Sequence, residues 1–272
     1  MFAFDDVPVK FVGLLVLFAW CTLWCTYELT RPQNGRQRVS NVLHLVMAVV
    51  MLLMVARPTW MGLLSIVPID VLTGVFAVGT LWFGWLAVGA SARGDRGGRR
   101  HAAGHTLMFA AMTWHVAAMA VMRSHRTQAG MDMHWMMDAA RPGGTLWVFA
   151  LVGVPLMAYL LFTSVVGVRD LLRPAAAVTD ACTCGAGCAC GPDCSCPPAP
   201  ARDGEIEHEH GGATAVLTAP TTLAWTCHEE RPVGSTRYRL AAASDVAMNF
   251  GMFWMSTGLL VPLLPFFALL AF

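Results

Sequence analysis

Long apolar runs, separated by polar stretches, dominate the chain. A helix needs about 20 mostly apolar residues to cross a bilayer, and in lipid the backbone must hydrogen-bond within its own element, as a helix does. The pattern therefore predicts an all-α, polytopic transmembrane bundle of about six helices. The predicted spans are 7–29, 40–56, 66–91, 104–122, 144–168 and 240–272.

The stretch between the fifth and sixth runs has a different composition. Residues 169–239 are polar and rich in Pro and Gly, and such segments bury too little apolar surface to fold alone. We expect a mostly disordered loop there. The first five runs follow one another closely, including a turn around Arg57–Pro58, which favours an up-and-down arrangement.

Composition and charge agree with a lipid environment. Hydrophobic residues make up 56% of the chain and charged residues 13%, against about 25% charged in soluble domains. The formal charge of +1 gives no sign of a nucleic-acid partner. Arginines concentrate between spans one and two, between spans three and four, and in 169–239, so these loops should be cytoplasmic. The Arg-rich, Ala/Gly-rich usage favours a bacterial inner (plasma) membrane.

Three of the predicted helices carry one shared stripe, in which a polar residue is followed by Met or His at offsets of 3, 7 and 10. These positions share one helix face. The predicted topology runs the three helices in the same direction, so equal offsets mean equal depth and four layers of side chains. The stripes are His44, Met47, Met51 and Met54; His105, Met108, Met112, His115, Met119 and Met122; and Asp245, Met248, Met252 and Met255.

The stripes have a chemical and a structural interpretation. Thioether sulfur is a soft ligand that suits Cu(I) or Ag(I), and neutral ligands add no charge to the membrane interior. Methionine is also a flexible core filler, and an apolar stripe at this spacing is usually a packing face. The polar head and the offsets shared by three helices favour a Cu(I) site.

A second candidate metal site lies in the polar segment. Six of the nine cysteines form three Cys-x-Cys pairs at six-residue intervals, a spacing that resembles metallothioneins. In a reducing cytoplasm we expect thiolates that bind Cu(I), Zn²⁺ or Ag(I) and become ordered by the metal. With the opposite topology, disulfides are expected instead. The residues are Cys182, Cys184, Cys188, Cys190, Cys194 and Cys196.

The predicted outer loop between spans four and five is dense in thioethers. It resembles the Met-rich extracellular segments of eukaryotic high-affinity copper transporters. An interfacial helix that inserts Met and Trp135 among lipid headgroups is the alternative interpretation. The candidate ligands are Met131, Met133, His134, Met136 and Met137.

The stripes also carry a family resemblance. Together with Trp114 beside His115, and with the Asp-x-x-Met-Asn-x-Gly-Met run at 245–252, they resemble an uncharacterised actinobacterial family of multi-pass membrane proteins labelled as a domain of unknown function. The resemblance covers the spans and implies a fold and a membrane location, but no activity. The Cys-rich insertion is a feature of this chain.

Three functions remain open at this point. Ser, His and Asp residues are scattered and the spans hold no paired carboxylates, so no enzyme is predicted. The leading hypothesis is Cu(I) binding in the bundle, for transport, buffering or homeostasis. A haem-binding electron carrier with His44, His105 or His115 as axial ligands is one alternative. A structural or partner-docking membrane protein without metal in the bundle is the other.

Overall fold

The computed structural model describes residues 7–128, 141–172 and 235–270. This part of the chain contains seven α-helices and a short 3-10 helix and no β-strand, which confirms the all-α prediction. The α-helices are α1 Pro8–Leu29, α2 Gly35–Val55, α3 Arg57–Ile66, α4 Ile69–Ala92, α5 Arg96–Gln128, α6 Thr145–Leu172 and α7 Thr236–Leu260, and the 3-10 helix is Pro265–Leu270.

Five of these helices are long and apolar enough to cross a membrane, namely α1, α2, α4, α5 and α6. Helix α7 has 25 residues but is less apolar, because its first half carries Arg237, Arg239 and Asp245. It nevertheless packs against α1, α5 and α6. The predicted bundle of about six long helices is therefore confirmed.

Helices α2 and α5 begin five and eight residues before their predicted apolar runs. Asn34 accepts a hydrogen bond from the backbone N–H of Gln37 (2.9 Å), and the Gln37 side chain accepts one from the Asn34 backbone N–H. This capping box satisfies backbone donors at the start of α2. Asp95 accepts from the backbone N–H of Gly98 (2.8 Å) at the start of α5. Side-chain capping, which hydropathy does not register, sets both helix starts.

The prediction of a turn around Arg57–Pro58 was wrong, because a ten-residue helix, α3, lies there. Proline in the first turn of a helix costs no hydrogen bond, so Pro58 fits the first turn of α3, which begins at Arg57 after an extended Ala56. The predicted sixth span also differs. Helix α7 ends at Leu260 rather than continuing, since Pro262 and Pro265 follow and proline cannot extend an α-helix.

The helices pack in sequence order, α1 on α2, α4 on α5, and α6 on α7, and α7 also packs on α1. In α2 and α5, 50% of the most apolar window is buried, against 28% in α1, α4 and α6. Helices α2 and α5 therefore lie deepest among the five. The outer helices present large apolar side chains such as Leu23, Leu81 and Phe162, as expected for a surface facing lipid.

Candidate functional site

The methionines of the three stripes point into the bundle. Those of α2, α5 and α7 that were predicted to form layers are all buried, and all belong to one continuous core cluster. Met119 is partly buried against the same cluster. The inward convergence predicted from equal offsets is therefore the geometry of the structure. The eight buried residues are Met47, Met51, Met54, Met108, Met112, Met248, Met252 and Met255.

The polar heads of two stripes meet as the offsets predict. His44 on α2 and His105 on α5 are both buried, and His44 Nε2 lies 3.0 Å from His105 Nδ1. The prediction that Asp245 completes this layer was wrong, because Asp245 is exposed on α7. A carboxylate buried beside two neutral imidazoles would lose its hydration without a compensating cation.

A third histidine extends this pair to the protein surface. His105 Nε2 lies 3.2 Å from His101 Nε2, and His101 is exposed near the start of α5. At the buried end, His44 Nδ1 donates to the Ser40 carbonyl oxygen (2.8 Å). His101 was not among the residues predicted from the stripes. The available signal was its position four residues before His105, one turn away on the same helix face.

A cavity of about 700 Å³ lies at the opposite end of the stripes. Met54, His115 and Met255, the residues at offset 10 in the three stripes, all line it. Met61, Met119 and Met122 add three more thioethers. The predicted fourth layer therefore comes together at the wall of an open space rather than in closed packing.

Buried hydrogen bonds join the helices around this cavity. His115 Nδ1 lies 2.8 Å from Ser256 Oγ, which links α5 to α7. On the next residue of α7, Thr257 Oγ1 accepts a hydrogen bond from the ammonium of Lys10 (2.9 Å). Lys10 is the only lysine of the chain. The two contacts tie α1 and α5 to α7 at this end of the bundle.

Conventional ligand types do not cluster around one point. Among residues 7–128, 141–172 and 235–270, no group of three or more His, Cys, Asp or Glu side chains is placed to hold a metal ion. Cys21 and Cys25 are buried thiols on α1, and Cys21 Sγ donates to the Ser244 carbonyl oxygen (3.5 Å). A metal site in the described bundle would therefore depend on methionine sulfur and on one or two histidines.

Two groups of predicted ligands lie outside the described residues. One is the set of three Cys-x-Cys pairs within 182–196, and the other is the Met-rich segment 131–137. Metal binding by either group stays a prediction.

Comparisons with known proteins place the chain in a family. No curated protein and no solved structure matches it. The model of a domain of unknown function (DUF5134) matches residues 36–257, a range that includes all three stripes. Because this match covers more than half of the chain, the protein belongs to the family of this domain of unknown function, DUF5134.

Proposed function

We propose that this protein is a multi-pass membrane protein that binds a soft monovalent metal ion, foremost Cu(I), in its Met/His-lined bundle, for transport, buffering or homeostasis. One observation carries the proposal. Met54, His115 and Met255 come from three helices, occupy the same offset in their stripes, and line one cavity. The remaining stripe methionines continue from this layer into the core.

The stripe residues of the cavity wall suit a soft ion rather than a hard one. Arg57 and Arg123 also line the cavity, and their positive charge disfavours divalent cations more than monovalent ones. Mg²⁺ and Ca²⁺ require several oxygen ligands, whereas the stripe residues at this cavity offer thioether sulfur and one imidazole. Thioethers bind polarisable ions such as Cu(I) and Ag(I). Because these ligands are neutral, they introduce no charge that would need compensation in the low-dielectric interior.

The position of the open space argues against a purely structural role for the stripes. Met54 and Met255 are buried, as Met157 on α6 is, but Met54 and Met255 also line the cavity. The stripes end at a cavity much larger than the roughly 30 Å³ share of one liquid water. Met54 and Met255 lie on the wall of this cavity, and further stripe thioethers continue from them into the core.

The proposal includes an orientation in the bacterial inner (plasma) membrane. The arginine-rich loops and the Cys-rich segment would face the cytoplasm, with the cavity on the outer side. Thiolates bind soft metals more strongly than thioethers do. An ion that passed from the cavity along the stripes would therefore gain affinity inward, which favours uptake or sequestration over export.

Metal binding to the purified protein tests the proposal. The seven cysteines between residues 182 and 227 are first replaced by serine, because their thiolates would dominate binding; we name this full-length protein the loop-serine chain. We expect it to bind Cu(I) in anaerobic competition with a chromogenic chelator. The double variant Met54→Leu, Met255→Leu conserves volume and should bind at least about tenfold more weakly, a loss of roughly 1.4 kcal/mol.

The matched control is Met157→Leu. It also removes a buried thioether, but Met157 lies on α6, outside the stripes and the cavity wall, so affinity should be unchanged. Equal affinity of the loop-serine chain and the Met54, Met255 double variant would contradict the proposal. A Soret absorption band in the purified protein would favour the haem alternative instead.

A further inference from the structure

The hydrogen-bonded chain of His101, His105 and His44 has a defined proton arrangement. A carbonyl oxygen only accepts hydrogen bonds, so His44 Nδ1, 2.8 Å from the Ser40 oxygen, carries the proton. In a neutral ring, His44 Nε2 is then an acceptor, and His105 Nδ1 must donate to it across 3.0 Å. His105 Nε2 is left as an acceptor and receives the proton of His101 Nε2 across 3.2 Å.

Aromatic rings enclose the inner pair. The ring centroid of His44 lies 5.2 Å from that of Phe83 and 5.4 Å from that of Phe109, both at steep angles. Phe83 also contacts His105, at 5.2 Å between centroids. These phenyl rings leave the two imidazoles facing each other in apolar surroundings, with the stripe methionines beginning one turn away on each helix.

We propose that the facing nitrogen atoms of His44 and His105 form a two-coordinate site for Cu(I) or Ag(I), with His101 as the hydrogen-bond partner that accepts the relocated proton at His105 Nε2. This inference rests on the proposed function for the identity of the metal and adds an inner site to it. Metal–imidazole bonds are about 2.0 Å long. The nitrogen atoms, now 3.0 Å apart, would therefore separate by about 1 Å to hold an ion in line between them.

Entry of the ion requires no net release of a proton. His105 must present a lone pair at Nδ1, so its proton moves to Nε2. His101 then accepts that Nε2–H, and its own proton moves to Nδ1 at the exposed end of the chain. Each ring stays neutral, and the charge of the complex is that of the metal ion alone. The Ser40 carbonyl holds the His44 proton in place throughout.

The same geometry selects among metals. Monovalent d¹⁰ ions accept two opposed soft or imidazole ligands, whereas Zn²⁺ requires about four ligands in a tetrahedron. In the described part of the chain no third His, Cys, Asp or Glu completes such a group around this pair. The site therefore fits Cu(I) or Ag(I) and leaves Zn²⁺ without half of its ligands.

X-ray absorption of the copper-loaded protein tests this site separately from the cavity. The loop-serine chain with Met54→Leu and Met255→Leu is loaded with one equivalent of Cu(I) without oxygen. We expect two nitrogen scatterers at about 2.0 Å and an edge typical of two-coordinate Cu(I); sulfur ligands would lie near 2.3 Å. In this background, His44→Gln and His105→Gln should each remove the two-nitrogen shell.

His115→Gln is the matched control, because His115 is also buried and hydrogen-bonded but lies at the cavity; it should leave the shell unchanged. A thermal melt verifies that each variant is folded. Sulfur scatterers alone, or no bound copper in the cavity double variant, would overturn the inner site while the proposed function stands on the loop-serine chain. A nitrogen-only copper shell already present in the loop-serine chain would instead support the inner site and contradict the proposed function, in which the cavity thioethers bind the ion.

Discussion

At the residue scale, three pairs of buried polar groups join helices of the bundle. His44 meets His105 across α2 and α5, His115 meets Ser256 across α5 and α7, and Lys10 meets Thr257 across α1 and α7. An unpaired polar group in such a core loses its hydration without compensation. These contacts therefore fix the rotation of each helix about its axis, and with it the direction of the stripes.

Removal of the hydroxyl at Ser256 should destabilise the protein. Ser256→Ala leaves His115 Nδ1 without its partner at 2.8 Å, and an unsatisfied buried group costs about 1–3 kcal/mol. Ser164→Ala is the control, since Ser164 is equally buried but its hydroxyl donates to the Leu160 carbonyl oxygen of its own helix (2.7 Å). Unfolding in mixed micelles should show a clear loss for Ser256→Ala and almost none for Ser164→Ala. Equal losses would contradict the pairing argument.

The sequence analysis predicted some of these partners and could not predict others. Equal stripe offsets placed His44 and His105 at one depth, and the structure joins them. Ser256 was missed because no periodic pattern singles out one hydroxyl, and His101 was missed because it precedes the predicted span 104–122. The partner of Ser256 follows from helix rotation, which is decided by packing between residues as far apart as His115 and Ser256, 141 positions in the chain.

At the element scale, hydropathy located the helices but not all of their ends. The apolar runs for α1, α4 and α6 agree with the structure to within a few residues. The starts of α2 and α5 were missed because polar caps create them, and α3 was missed because ten residues are too few for a membrane span. Asp245 was wrongly predicted to be buried beside His44 and His105. A stripe indicates which residues share a helix face, but it does not indicate where along the helix that face leaves the core, and Asp245 is exposed.

The close contact between α4 and α5 depends on Gly79, which has no side chain to collide with Phe109. A Cβ atom added to Gly79 would lie 2.5 Å from Cδ1 of Phe109, and Phe109 is held by Phe83 at 5.0 Å between ring centroids. Gly79→Ala should therefore lower stability by about 1–3 kcal/mol, as overpacking does. Gly74→Ala on the same helix meets nothing within 4 Å and should cause no loss. A thermal melt that ranks the two variants alike would contradict this packing.

At the scale of the whole molecule, the two ends of the striped helices differ in chemistry. One end holds the histidine chain, with exposed His101 following the arginines at the start of α5. The other end holds the thioether cavity. The core between them is lined by the stripe methionines. A bundle with different ligands at its two ends has a direction, so its orientation in the membrane decides what the proposed function means for the cell.

The orientation of the bundle in the membrane can be determined by finding which end of α4 lies outside the cytoplasm. Ser65 on α3 and Ser91 near the end of α4 are both exposed, and the 24 residues of α4 rise by about 36 Å, so the two serines lie on opposite sides of a bilayer. In the loop-serine chain, an impermeant maleimide applied to intact spheroplasts should label Ser65→Cys and leave Ser91→Cys unlabelled until detergent is added. The reverse pattern would put the Cys-x-Cys pairs in an oxidising compartment, where disulfides replace thiolates and the cavity becomes an outlet from the cytoplasm.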